Sequence, residues 1–264
     1  GCDAVIWCAT GFSDAQTSII ERLKRLFGIA LVPQQSIDAV GVPAIGKALS
    51  SANGDAIYPK IVMLSSAGVT RPAWDDAKKK RFPGSADIPI VRLNPFGILG
   101  VKADSEQKLR ETGANYAIVR PAGLNDNWPI GSRPIFTQGD IAAGRINRQD
   151  VATVLVDVLS TPEACHKTFE VIGVCNYPPA RSIRPALSKL QPDGVALSMD
   201  HLSATYTIMQ QLLPGEAQQS AQLAMGQTYE QLDKDEVGRL GKRGEENIES
   251  AVPQPTTVAG RESS

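Results

Sequence analysis

The stretch from Lys60 to Leu124 constrains this chain more than any other part of it. Lys60–Gly68 reads KIVMLSSAG, a run of β-branched and long aliphatic residues ending in two serines. It is short for a helix, and its uniform apolar character suits a strand buried on both faces. Ile98–Leu124 reads ILGVKADSEQKLRETGANYAIVRPAGL. This predicts a helix over Pro95–Thr112 that carries Lys102, a glycine stop at Gly113, and a second buried strand, Tyr116–Arg120, cut by Pro121. Strands of this kind alternating with helices call for a parallel sheet joined by right-handed crossovers.

The flanking segments extend that pattern. Asp3–Ala9 (DAVIWCA) reads as a buried parallel strand, with Thr10-Gly11-Phe12-Ser13 as the turn after it. Ser13-Asp14 caps a helix through Phe27, with Ile19, Ile20, Leu23, Leu26 and Phe27 on one face. A shorter helix covers Val42–Ser50, led in by Gly41, with Pro43 in its first turn where the missing N–H costs nothing. Gly144–Asn147 is extended. Asn147 then caps a helix over Arg148–Leu159, with Asp150 in the first turn favoured by the helix dipole. Thr168–Ile172 is the last clear strand.

Ala67–Asn94 is a long connection rich in proline and charge, including Lys78-Lys79-Lys80-Arg81. A connection of that length inside a compact domain is usually functional or an interaction loop. The basic run reads as a solvated helix end, with contact to an anionic partner as the alternative. Near Pro192 the composition changes. Leu197–Leu213 still suits a helix, but from Pro214 onward Gln, Glu, Gly and Ser dominate, as in a segment that stays unpacked or folds on a partner. The expected division is therefore an α/β domain over 1–190 and an extension over 191–264.

Bulk properties exclude several classes. A net charge of −1 gives no electrostatic pull toward nucleic acid or an anionic membrane. No apolar run approaches the roughly 18 residues of a membrane span. Cys2, Cys8, Cys165 and Cys175 lack metal-ligand spacing and read as buried or half-buried thiols of a reducing compartment, a redox pair of Cys165 with Cys175 being the alternative. No metal site is expected. The start, Gly1-Cys2-Asp3, shows no signal or transit peptide and runs straight into a strand, which suggests a chain beginning partway through its natural protein.

Three places carry the residue types of a ligand site. Trp7-Cys8-Ala9-Thr10-Gly11 is a small-residue turn after a strand, suited to close backbone approach by a ligand or simply to a tight turn. Ser65-Ser66 close a strand at the edge where open α/β sheets bind ligands, and otherwise merely terminate it. Lys102 is either a ligand-holding amine or an exposed helix lysine. No G-x-G-x-x-G follows a strand. Gly41–Lys47 has the glycine and lysine spacing of a phosphate loop, but Ala48 stands where magnesium needs a hydroxyl, so the match reads as chance.

Taken in order, these segments resemble the second half of an NAD(P)-binding short-chain dehydrogenase/reductase of the atypical, NmrA-like kind. The likeness spans Gly1–Val174. It rests on D-A-V-I-W-C-A-T-G, on V-M-L-S-S, on the pattern from Lys102 to Pro121, and on Ile146–Ala152, which is similar to the family's I-S-R-x-D-V-A helix start. The fold it implies is α/β, a Rossmann-like parallel sheet with helices on both faces, apparently without its first βαβαβ part, followed by a mostly unstructured tail. It implies cofactor contacts at Cys8, Ala9, Thr10, Gly11, Ser65, Lys102, Pro121, Ala122, Gly123 and Leu124, with NADP or NAD as the cofactor unless the site has lost it. Ser65 and Ser66 are its only, weak, catalytic candidates. Arg148 and Asp150 would tie their helix to the loop after Arg120.

One departure matters most. In the family a tyrosine four residues before the lysine acts as proton donor or acceptor, its pKa lowered by that lysine. Here that position is Ile98, which transfers no proton. Ala122 also replaces a family glycine. Within the family the likeness is to plastid NAD(P)-binding proteins, including the dinucleotide domain of the translocon-associated redox component. The resemblance implies a chloroplast setting, in the stroma peripheral to thylakoid or envelope. The expected function is a non-catalytic or weakly catalytic subunit with a structural, assembly or redox-sensing role. Its partners would be plastid membrane-complex proteins, reached through residues 67–94 and the tail. The alternative is an NADPH-dependent oxidoreductase of a plastid metabolite.

Overall fold

Alternate residues of the central strands point to opposite faces, and each face has its own helices to bury them. The computed structural model describes residues 2–9, 37–51, 57–86, 88–94 and 97–213. Strand β1 (Val5–Trp7) leads to helix α1 (Ile37–Ser50), β2 (Ile61–Leu64), and a set of short helices: a 3₁₀ turn over Arg71–Ala73, α2 (Asp76–Arg81), α3 (Pro83–Ala86) and α4 (Pro89–Leu93). Then come α5 (Ile98–Glu111), β3 (Tyr116–Pro121), β4 (Gly123–Leu124), β5 (Arg133–Thr137), β6 (Arg145–Ile146), α6 (Arg148–Leu159), β7 (Lys167–Val174), α7 (Arg184–Leu187) and α8 (Met199–Leu212).

The main sheet has the order β1-β2-β3-β7-β5, parallel except for β5, which runs antiparallel to β7 at the edge. On one face Ile61, Met63, Tyr116 and Ile118 pack with Val42 of α1 and Leu109 of α5. On the other, Val62, Ala117, Val119, Phe169 and Val171 pack with Val151, Val154, Leu155 and Val158 of α6. This is the expected Rossmann-like sheet with helices on both faces.

Local rules set several boundaries. Asn147 caps α6 by accepting from the Gln149 amide at 2.8 Å. Gly113 follows α5 at φ +76°, a left-handed conformation that favours glycine. Gly41 lies beneath the indole of Trp7, and a Cβ there would sit 2.3 Å from its ring.

Other boundaries differ from the sequence expectation. Helix α1 begins at Ile37 rather than Val42, so Pro43 lies in its interior and Gly41–Lys47 is helix, not a phosphate loop. Burial of Val42 and Leu49 outweighs the lost proline hydrogen bond. Strand β1 is shorter than Asp3–Ala9 and half-buried, and Cys8 lies beyond its end, exposed like Cys2. Helix α5 starts at Ile98, and β3 runs through Pro121 instead of stopping before it. Strand β5 had no sequence signal. Its Pro134 argues against a central strand but is harmless at an edge. The helix expected over Ser13–Phe27, the Thr10–Ser13 turn and the tail beyond 213 lie outside the described residues.

The connection after β2 is folded rather than looped. Trp74 and Phe82 join Ile172 of β7 and Leu202, Tyr206 and Met209 of α8 in a third core. Residues 191–213 therefore share the core of the body instead of standing apart from it. Arg71, 1% exposed, donates to the carbonyls of Asp140 (2.7 Å), Ser85 (2.5 Å) and Ala142 (2.6 Å). Asp140 answers by accepting from the amides of Gly68 (2.6 Å) and Thr70 (2.7 Å). Beside it, Glu170 accepts from the Asp140 and Ile141 amides and from the Thr137 hydroxyl. Burial, and then the Asp140 charge, push the Glu170 carboxyl above the usual carboxylate range.

Arg71→Met removes the donor to three buried carbonyls and leaves Asp140 without its cation. It is expected to lower the unfolding free energy in urea by about 3–5 kcal/mol. Glu170 tests the opposite sign. A carboxyl whose folded pKa is raised contributes stability in its protonated form, and that contribution is lost as pH rises through the folded value. Glu170→Gln fixes an uncharged group, so its urea midpoint should gain on the parent protein as pH rises and match it in acid. A constant difference across pH would contradict this assignment.

Candidate functional site

The C-terminal edge of a parallel sheet is where loops diverge and leave a crevice. Here β2 ends at Ser65-Ser66 and β3 ends at Pro121-Ala122. Strand β4 then turns aside to pair with β6. Between these ends lies a cavity of about 400 Å³. Ser65, Ser66 and Pro121–Leu124 form one side, the small residues Ala142–Gly144 another, and Ile88–Leu93 of the folded connection a third. The structure thus brings together six of the expected residues: Ser65, Ser66, Pro121, Ala122, Gly123 and Leu124. The side from the 88–93 segment and the 142–144 backbone were not foreseen. Their roles depend on chain reversals far from any recognisable motif.

Behind the cavity runs a row of buried charge. Lys102 and Glu106 sit one turn apart on α5, the spacing that puts both on one face. Lys102 is buried rather than exposed, with the Asp38 carboxylate 4.0 Å from its Nζ. Asp38 also accepts from the Trp7 indole N–H at 2.7 Å. Burial lowers the Lys102 pKa against the opposing pull of Asp38, Glu106 and Cys8. Cys8 is therefore a close electrostatic neighbour of Lys102, its own thiol pushed up by burial and pulled back by the lysine. Ala9 follows it, exposed. Thr10 and Gly11 lie outside the described residues.

Glu106, 1% exposed, is the hub of the row. Its Oε1 accepts from Ser65 Oγ at 2.6 Å and Arg120 Nε at 2.9 Å, and its Oε2 from Arg120 Nη2 at 2.6 Å and Arg110 Nη2 at 3.1 Å. The bidentate carboxylate raises the Arg120 pKa despite burial, which alone would lower it. Ser65 is thus already committed as a donor, and Ser66 donates to the Ala67 carbonyl at 2.9 Å. Arg148 and Asp150 hold the loop after Arg120 as expected. Arg148 pairs with Asp126 at 2.6 Å, and Asp150 accepts from the Gly131 and Ser132 amides at 2.8 and 3.1 Å.

This arrangement can hold a flat, largely apolar group against small residues and backbone. None of the described residues lining the cavity carries a titratable side chain. Ile98 stands one turn before Lys102, as in the sequence, and supplies no proton.

Residues 1–162 match the family model described as NAD(P)H-binding, more than half of the chain. The chain belongs to the NAD(P)H-binding family. The NmrA-like, short-chain-dehydrogenase-type resemblance of the sequence therefore holds at the level of its NAD(P)-binding domain. Two curated relatives come from Arabidopsis thaliana, both chloroplastic. An uncharacterized protein is 34% identical over 87 residues, 33% of this chain and 31% of its own length. The protein High Chlorophyll Fluorescence Phenotype 173 is 37% identical over 75 residues, 28% of this chain and 12% of its own length. The matched stretches thus span less than a third of either relative. Among solved structures, the oxidoreductase ylbE from Lactococcus lactis is 18% identical with a TM-score of 0.42, covering 71% of this chain and 67% of that one. A short-chain dehydrogenase/reductase from Veillonella parvula in complex with NADP is 15% identical with a TM-score of 0.36, covering 53% and 62%.

The residues present fit a nicotinamide nucleotide. Ala122, Gly123 and Ala142–Gly144 let a ring approach the backbone. Lys102 is a buried amine with one described carboxylate within 4.0 Å, a distance too long for a strong hydrogen bond, so its protons remain to be shared. The expected outcome of disturbing the hub separates it from surface charge. Glu106→Gln leaves the buried Arg120 guanidinium without its counter-ion and should cost about 3–5 kcal/mol in chemical denaturation. Asp104→Asn on the same helix breaks only the exposed pair with Lys108 and should cost at most about 0.5 kcal/mol.

Proposed function

We propose that this chain is a nicotinamide-dinucleotide-binding module that does not itself catalyse hydride transfer, and that it serves as a structural, assembly or redox-sensing component of a chloroplast protein complex. The observation that carries this reading is the cavity at the sheet edge. It has the shape and small-residue lining of a nicotinamide site, yet its two hydroxyls already donate within the protein and no described lining side chain titrates. When bound, the dinucleotide would supply hydride chemistry, or a bulk that differs between its oxidised and reduced forms. Lys102 would hold the ribose on the nicotinamide side. Pro121–Leu124 and Ala142–Gly144 would seat the ring. Ile88–Leu93 would exclude water from it.

The chloroplast setting is supported by the two chloroplastic relatives. A role within a complex, at the stromal side of thylakoid or envelope, extends that support. Among the described residues no helix is long and apolar enough to cross a membrane. Membrane-complex proteins would be engaged through the exposed parts of the 67–94 segment, whose Lys79 and Lys80 face solvent, and through the tail.

NADPH titration by calorimetry tests the reading, with the reduced nicotinamide's fluorescence as a second signal. The expected result is saturable binding, with no oxidation of NADPH beside a panel of aldehydes, ketones and quinones. Lys102→Met should weaken binding about tenfold or more, and because it also removes the cation beside the buried Asp38 carboxylate, the comparison is made below the variant's own unfolding midpoint. In the same buffer the variant should retain the parent's far-ultraviolet circular dichroism at the titration temperature, so that lost affinity reads as the lost charged hydrogen bond to the ligand. Turnover of any carbonyl would instead favour an NADPH-dependent oxidoreductase. Absence of binding to NADPH and NADH alike would sink both readings.

A further inference from the structure

A second recess, of about 300 Å³, is polar where the first is apolar and shares no lining residue with it. Both arginines that Glu106 holds, Arg110 and Arg120, stand in its wall. Arg120 bonds through Nε and Nη2 to Glu106. Arg110 bonds through Nε to Asp193 at 2.9 Å and through Nη2 to Glu106 and to the Thr168 hydroxyl. Among the described residues no group accepts from Nη1 of Arg120, while the Arg110 guanidinium also meets the Tyr116 hydroxyl. The Arg120 side chain is 7% exposed and lines the recess, and one of its buried guanidinium nitrogens has no protein acceptor. Such groups call for a partner. The two guanidinium groups meet at one oxygen, Glu106 Oε2, which leaves two like charges side by side with donors to spare.

The other polar lining groups are engaged. Gln138 donates to the carbonyls of Thr168 and Gln191 and accepts from the Gln191 amide. Asp193 accepts from Thr168, Arg110 and Tyr116. Glu170 faces Asp140 and Thr137 from the 133–141 stretch, Arg120 from β3 and Lys78 from α2. Burial and Asp140 raise its pKa, while Asp193 stays charged in the same wall with its oxygens turned to Thr168, Arg110 and Tyr116. The remaining wall, Pro192, Val195 and Leu197, is apolar.

We propose that this recess binds a small organic acid, its carboxylate on Nη1 of Arg120 beside the Arg110 guanidinium and its short aliphatic body on Pro192, Val195 and Leu197. This site goes beyond dinucleotide binding and stands without it. Titration of the 264-residue chain with butyrate tests it, with butyramide and inorganic phosphate as comparators. The expected result is saturable one-site binding of butyrate, with none of butyramide. Arg110→Gln should weaken it about tenfold by removing the positive charge beside the carboxylate. Val195→Trp should also weaken it by filling the mouth. Val195 is half-exposed and outside the charge network, so this variant should unfold at the parent midpoint. A heat that does not saturate, equal affinity for butyramide, phosphate binding tighter than butyrate, or parent-like affinity in Val195→Trp would each overturn the proposal.

Discussion

The carboxylate of Glu106 is the constraint on which the rest of the site depends. It receives Ser65 from the end of β2, Arg120 from the end of β3 and Arg110 from its own helix. Taking that carboxylate out of water costs several kcal/mol, and only good geometry with several donors recovers it. The four hydrogen bonds do so, and in doing so they fix the relative positions of two strand ends and the helix between them. Those strand ends form one side of the apolar cavity. Its geometry follows from satisfying a buried charge, not from any property of a ligand.

A second buried pair sets the opposite side. Arg71, in the connection after β2, donates to the Asp140 and Ala142 carbonyls of the loop before β6, and the Asp140 carboxylate accepts in return from the Gly68 and Thr70 amides. The loop so held continues into Ala142–Gly144, and the connection continues into Ile88–Leu93, so both arms that enclose the cavity leave from this pair. Trp74 and Phe82 then bring α8 down onto the same segment. What composition marks as a long, charged, proline-rich loop is therefore a clamp. Its prolines start short helices, and its one fully buried cation anchors it.

Much of the scaffold was legible in the sequence because the physics there is local. Asn147 and Asp150 state the start of α6, Gly113 states the end of α5, and the apolar runs of β2 and β3 state burial on both faces. The ends of those strands also gave half of the cavity. Glu106, Asp140 and Arg71 were not legible, since each has a partner far along the chain, 41, 72 and 71 residues away respectively, and their neighbours in sequence are unremarkable. Lys102 was legible as a position but not as a buried group. Its burial follows from the way α1 and α5 pack side by side over the sheet, which places Asp38 opposite it.

These particulars bear on why a nucleotide-binding frame persists without the usual proton donor. A catalytic hydroxyl must be free to give and take a proton at the reacting atom. Here the serine at that edge donates to a buried carboxylate whose other bonds hold the fold together, so freeing it would weaken Glu106's grip on β2. At Lys102, by contrast, burial disfavours the charge and the neighbouring Asp38, Glu106 and Cys8 favour it. Stability thus opposes chemistry at Ser65, whose proton is already given to the carboxylate that joins the two strand ends.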